Sequence, residues 1–120
     1  MAEQTILKSK NEWETIWENP NLSATFAAGS ITVPDVSRFK EIKVKLKEGF
    51  LEQQFEIDST IDVYSLVTAG AGSGFMFIRR RMFNITSATQ ISFQDCWAVN
   101  ATLTPAKEND YCIPAKIYAR

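Results

Sequence analysis

The 120-residue chain has no histidine. With it go the commonest general base, the commonest metal ligand and the side chain that ordinarily titrates nearest neutral pH. Cysteine is scarce, present only as Cys96 and Cys112. Nucleophilic catalysis by either thiol needs an activating base, and the usual one is missing. The two can pair only if folding brings them together, and with no secretory leader in view free thiols are the expectation. No apolar run reaches transmembrane length, and "MAEQTILKSKNEW" lacks the apolar stretch of a signal peptide. The expectation is a soluble protein, whole or cut from a longer one. Neither charge sign dominates: 13 Lys and Arg stand against 14 Asp and Glu. Such a surface exerts no long-range pull on nucleic acid or on an anionic membrane, so neither is an expected partner. A composition 45% hydrophobic and 22% charged is that of a globular chain, with no signature of disorder.

What the chain has is alternation of period two. In "KEIKVKLKE" (40–48) Ile42, Val44 and Leu46 fall on one face and Lys43, Lys45 and Lys47 on the other, the pattern of a strand with one wet face. "FAAGSITVPD" (26–35) predicts a strand ended by Pro34. "FLEQQFEID" and "IDVYSLVTA" predict two more, joined by an Asp-Ser-Thr turn signal. "GAGSG" (70–74) predicts a flexible loop between strands, and "FMFIRRRMFNI", "TQISFQDCWAV" and "YCIPAKIYA" complete the set. "NEWETIWEN" places Trp13, Ile16 and Trp17 at helical spacing but stops at Asn19-Pro20, and is read as an opening strand. About eight short strands predict an all-β fold, an antiparallel β-sandwich of jelly-roll-like type. One domain spans 1–120, with its core over 13–119.

The run "FIRRRMF" (77–83) sets three arginines in the most apolar of these strands. If Phe77, Phe83 and Ile85 face the core, Arg79 and Arg81 share that face and Arg80 points out. If Met76, Ile78 and Met82 face it, Arg80 points in. A buried guanidinium requires a carboxylate or several carbonyls, because leaving such a charge unpaired costs on the order of 3–5 kcal/mol. Asp58, Asp62 and Asp95 are the candidate carboxylates. As a grip on single-stranded nucleic acid the run lacks company. Only "KVKLK" shares its clustered charge, and lysines on an exposed strand face serve to guard an edge.

No catalytic, metal-binding or cofactor-binding set emerges. "EIDSTID" has oxygen ligands at Asp58, Ser59 and Asp62 but lacks the density and the glycine of a calcium loop. "GAGSG" lacks a phosphate loop's lysine and following helix. The triplets "NLS", "NIT" and "NAT" at Asn21, Asn84 and Asn100 are read as coincidence in a Ser/Thr-rich chain. Ligand-binding candidates are Trp97, placed after "QDC" at a strand's expected end, its neighbour Asn100, and Arg80. The loop 104–109 is expected beside them. Trp13 and Trp17 are assigned to the core or to packing between chains.

Two long stretches, "WENPNLSATFAAGSITVPDVSRFKEIKVKL" and "ISFQDC … NDYCIPAKIYA", resemble β-rich modules of tail and tail-fibre proteins from phages and prophages of Gram-positive bacteria. In those modules an Asn-Pro loop leads to a Phe-Ala-Ala segment and an "I-x-V" strand. An "I-x-F" strand precedes a closing "IP-x-x-IY", usually followed by Gly where this chain has Ala119 and Arg120. The resemblance covers most of 13–119. It implies a non-enzymatic structural or host-surface attachment module in the virion tail, assembled in the bacterial cytoplasm. It also implies a bacterial surface polymer or neighbouring tail proteins as partners, and a homo-oligomer, with a trimer in view. An apolar surface around Trp13 and Trp17 would supply the contact. The modules carry an arginine ahead of an alternating strand at a place matching Arg81, which makes Arg81 the expected structural brace. A carbohydrate-binding module of an extracellular protein shares the sandwich and the aromatics and is the alternative.

Overall fold

Strand alternation translates directly into burial. In a computed structural model describing residues 12–47, 52–72, 75–99 and 105–120, strand β3 (Glu41–Leu46) buries Ile42, Val44 and Leu46 completely. The intervening Glu41, Lys43 and Lys45 stay half-buried on its other face. Ahead of it come β1 (Glu14–Glu18), β2 (Gly29–Thr32) and a single 3-10 turn at Val36–Arg38, capped by the Asp35 carboxylate. After it come β4 (Glu52–Glu56), β5 (Tyr64–Gly72), β6 (Phe75–Ser87), β7 (Gln90–Val99), β8 (Pro105–Lys107) and β9 (Pro114–Ala119).

These strands make two antiparallel sheets. One has the order β1-β9-β3-β4; the other runs β2-β7-β6-β5, with β8 added on β7. The chain passes from one sheet to the other between β1 and β2, β2 and β3, β4 and β5, and β8 and β9. That gives the expected jelly-roll-like sandwich. The strand beyond the expected eight is β8, which lies in the segment expected as a loop. The expected "GAGSG" loop is shorter too. Gly70, Ala71 and Gly72 pair with Phe77, Met76 and Phe75, and 73–74 fall outside the described residues.

The core lies between the sheets. Ile42, Val44, Leu46 and Ile117 meet Leu66, Phe83, Ile91 and Phe93, each apolar side chain contributing about 1.5–3 kcal/mol on burial. Phe83 is its aromatic centre, with ring centroids 5.2 Å from Tyr64 and 5.4 Å from both Phe55 and Phe93. Along one side the sheets are joined by Gln53 of β4. Its side chain donates to the Val67 carbonyl at 2.8 Å and accepts from the Val67 amide at 3.1 Å, occupying part of β5's edge as a strand would.

Two bulges decide which side chains face where. On β1 the register shifts between Thr15 and Trp17, so Ile16 is buried while the next residue, Trp17, also packs against the core. On β7, Gln94 and Asp95 together oppose the one β6 residue between Arg81 and Phe83. Before that bulge Ile91 and Phe93 point inward; after it Cys96 and Ala98 do. The parity change turns Trp97 to the outside.

Trp13 and Trp17, expected in an exposed apolar contact surface, are each half-buried. Trp13 is half-buried beneath two cations, with Arg120 at 4.3 Å and Lys43 at 4.5 Å from its ring centre. Trp17 packs edge-on against Phe26 at 6.2 Å. Cation–π contact and core packing use part of the surface of both rings.

Candidate functional site: the outer face of the five-stranded sheet

The arginine run is divided by strand parity. Arg79, Arg81 and Phe83 point inward and Ile78 and Arg80 outward. Arg81 is 0% exposed, and its guanidinium meets carbonyls rather than a carboxylate. Nε donates to the Cys112 carbonyl at 2.9 Å, Nη1 to Gln94 at 2.8 Å and Nη2 to Tyr111 at 3.1 Å. The bulge supplies the Gln94 oxygen. Burial draws the Arg81 pKa below its ordinary value. None of the three proposed aspartates is its hydrogen-bonding partner. Asp58 closes its own turn, accepting from the Thr60 amide and hydroxyl, in the manner of an Asx turn. Asp62 is exposed beside a groove of about 600 Å3 between Ile57 and Thr86. Asp95 accepts from Asn109 Nδ2 at 2.9 Å and from the Ala28 amide at 3.0 Å.

Arg81 and Arg79 together hold the strap 108–113 that links β8 to β9. Arg79 pairs with Glu108 at 3.2 Å and lies 3.5 Å over the Tyr111 ring centre. Asn109 accepts from the Cys96 amide at 2.8 Å, and the Glu108 amide donates to the Cys96 carbonyl at 2.8 Å. Cys112 takes φ +50°, in the left-handed region that favours glycine. Its carbonyl is held there by Arg81. Neither thiol is in a disulfide, and both are buried. The Cys96 thiol is pushed well above the usual range by its hydrogen bond to Cys112 and by burial, which opposes thiolate formation.

Asp95 gives the strap an acid sensitivity. Hydrogen bonds from Asn109 and Ala28, then the charges of Lys107 and Arg81, hold its carboxyl below the ordinary 3.8. A carboxyl lowered on folding adds stability above its unfolded pKa and loses it as pH falls through the folded one. Thermal midpoints measured downward from pH 5 are expected to fall more steeply for the native chain than for Asp95→Asn, with the divergence beginning near pH 4. Parallel curves would detach Asp95 from strap stability.

The clamped strap fixes β8, and β8 completes a row on the outside of the sheet. Val67 of β5 is opposite Arg80 of β6, Arg80 is opposite Trp97 of β7, and Trp97 is opposite Lys107 of β8. All four are exposed, Trp97 by 44% and Val67 by 45%. The next row is Ala69, Ile78, Val99 and Pro105, with Ile78 exposed by 55%. Neither row carries a carboxylate, and neither Arg80 nor Lys107 has an ion-pair partner among the described residues. The outer face of the other sheet differs: Lys43 pairs with Glu52, Lys116 with Glu18 and Arg120 with Glu41, and Lys43 also lies over Trp13 and Tyr118.

Comparison with family models, curated proteins and solved structures found no match. The likeness to tail modules rests on the residues quoted for it.

Of the ligand candidates, Arg80 and Trp97 are brought together as direct cross-strand partners, while Asn100 lies outside the described residues. Trp97 sits within a strand on a sheet face, not at the rim where its position after "QDC" put it. Lys107 was missed. Its only sequence signal is a lysine in a short segment after a proline, and the pairing of β8 with β7 gives it meaning. Among the described residues no cluster of three or more Cys, Asp or Glu could hold a metal ion, and no helix is long and apolar enough to cross a membrane.

Proposed function

We propose that this domain is a non-enzymatic attachment module of a phage or prophage tail, engaging a bacterial surface polymer or a neighbouring tail protein through the outer face of its five-stranded sheet. One observation carries the reading: Val67, Ile78 and Trp97 are exposed together with Arg80 and Lys107, two cations with no ion-pair partner among the described residues, on a sheet whose inward polar groups serve the fold. Apolar surface gathered in this way marks a contact site, and no core or turn role accounts for it. The likeness of 17–46 and 91–119 to tail modules supports the tail context. Trp13 and Trp17 are half-buried, so the implied homo-oligomer would draw on other surface besides them.

The test is retention of the labelled domain on a panel of Gram-positive cell walls, with heat-denatured protein as control. Selective retention on some strains, reduced about tenfold or more by Trp97→Ala, is the expected result. Retention that ignores Trp97 would move the contact elsewhere on the domain. No retention on any wall would leave assembly with other tail proteins as its role. The alternative, a carbohydrate-binding module of an extracellular protein, is favoured by the same uncovered indole. It predicts binding to one purified neutral polysaccharide, lost in Trp97→Ala.

A further inference from the structure

We propose that the row Arg80–Trp97–Lys107 is a binding site for an anionic polysaccharide, with the indole stacking on a sugar ring and the two cations meeting acidic groups on the flanking residues of the polymer. The inference rests on the attachment reading above and names its ligand class. It follows from what the row contains and what it omits. Trp97 is flanked by a cation on each side, Arg80 on β6 and Lys107 on β8, one strand away in either direction. Neighbouring strands lie about 4.8 Å apart, so the row spaces charge, ring and charge across roughly 10 Å, comparable with two to three sugar units. Such a spacing fits an extended polymer running across the strands better than a single small molecule.

The charge on this face is one-sided. The row and the row beside it hold no carboxylate, and Asp95, on which the Lys107 charge acts, is engaged by Asn109 and the Ala28 amide. On the opposite sheet Lys43, Lys116 and Arg120 each have an acid or an aromatic ring against them. Unpaired Arg and Lys beside an uncovered indole are complementary to a ligand that brings its own negative charge and its own flat apolar face. A neutral glycan would use the ring and leave both cations idle. Inorganic polyphosphate would use the cations and leave the ring idle. Single-stranded nucleic acid has both features, but its binders line a longer basic groove with several aromatic platforms. Here one indole and two cations stand on a chain of net charge −1.

Geometry also assigns Arg79 a positioning role. Its pair with Glu108 and its stacking on Tyr111 hold the strap immediately after Lys107, which keeps β8 beside Trp97. Arg79→Gln is therefore expected to weaken binding without touching ligand. It should do so with the salt dependence of the native domain, because no charge of the site itself is lost.

The experiment is calorimetric titration of the full chain with two matched pairs of polymers, and with inorganic polyphosphate and poly(dT). The pairs are polygalacturonate with its methyl ester, and dextran sulfate with dextran. In each pair the rings are retained and the charge is removed. Binding to at least one anionic glycan is expected to be about tenfold or more tighter than to its neutral partner and to polyphosphate. Trp97→Ala should lower it about tenfold or more, Trp97→Phe should recover part of the loss, and Arg80→Gln and Lys107→Gln should each flatten its salt dependence. All three residues are exposed, so unchanged thermal midpoints will show that the variants fold. No binding to either anionic glycan overturns the ligand class, as does equal binding to polyphosphate, tighter binding to poly(dT), or indifference to Trp97. Self-association of the native chain that Trp97→Ala abolishes would assign the face to a second copy and likewise overturn it. Failure on purified polymers with wall retention intact removes this ligand class and leaves attachment standing. Failure of both removes attachment as well.

Discussion

Arg81→Met is expected to cost about 3–5 kcal/mol of unfolding free energy, the scale of breaking a buried charged network. Methionine fills much of the arginine's volume, so packing loss is a small part of the effect. What is lost are the donors to the carbonyls of Gln94, Tyr111 and Cys112. Each buried carbonyl left without a partner costs about 1–3 kcal/mol, and relief from burying the guanidinium offsets part of the sum. Arg81→Lys should lose about half as much. The three carbonyls lie on two chain segments and are met by three separate nitrogens of a planar fork, a geometry that one ammonium cannot span. Urea unfolding of the native, Met and Lys forms checks this, with midpoints falling in that order of Lys before Met and slopes unchanged. A Met form within about 1 kcal/mol of native would mean that water re-enters and satisfies the carbonyls, and that the guanidinium is not the clamp.

The sandwich was legible because its determinant is local. Ile42, Val44 and Leu46 alternate with lysines in the chain itself, and no tertiary information is needed to place that face inward. The arginine run was legible to within a choice of two registers. Phe83 at the centre of the core settles the choice, putting Arg79 and Arg81 inside and Arg80 out. The partners of Arg81 were not legible as a set. A carboxylate is visible in a sequence, whereas a carbonyl freed by a bulge is not, and the Gln94 oxygen is available only because β7 carries an extra residue there.

Trp97 and Arg80 were legible as candidates, but the same bulge hid their pairing. Counted by simple alternation from Ile91 and Phe93, Trp97 would lie inside, and only the parity change at Gln94 and Asp95 brings it out beside Arg80. Lys107 joins them through a pairing of β8 with β7 that three residues of sequence do not announce. Trp13 and Trp17, assigned to the core or to packing between chains, find partners within the chain. Two tryptophans near a terminus look like unsatisfied surface until Arg120, 107 positions along the chain from Trp13 by number, folds over the first and Phe26 meets the second.

Phe83→Ala is expected to cost about 3–5 kcal/mol, against about 1 kcal/mol for Phe83→Leu. Phe83 is fully buried and in ring contact with Phe55, Tyr64 and Phe93 from three different strands or their edges, so no single neighbour can move to fill the space it leaves. Its effect should not be independent of Arg81. The Arg81 guanidinium lies 5.0 Å from the Phe26 ring centre, Phe26 is 5.4 Å from Phe93, and Phe93 is 5.4 Å from Phe83. A double-mutant cycle between Phe83→Leu and Arg81→Lys is expected to show coupling of at least about 0.5 kcal/mol, the scale found for residues that share packing partners. Additivity within error would mean that the polar clamp and the aromatic core respond separately. Binding provides a second readout. Arg80 and Trp97 occupy the outer side of the same β6–β7 pair whose inner side carries Phe83. A folded fraction of Phe83→Ala should bind with native affinity and reduced stoichiometry at low temperature. A loss of affinity at full stoichiometry would instead show that the inner packing sets the geometry of the outer row.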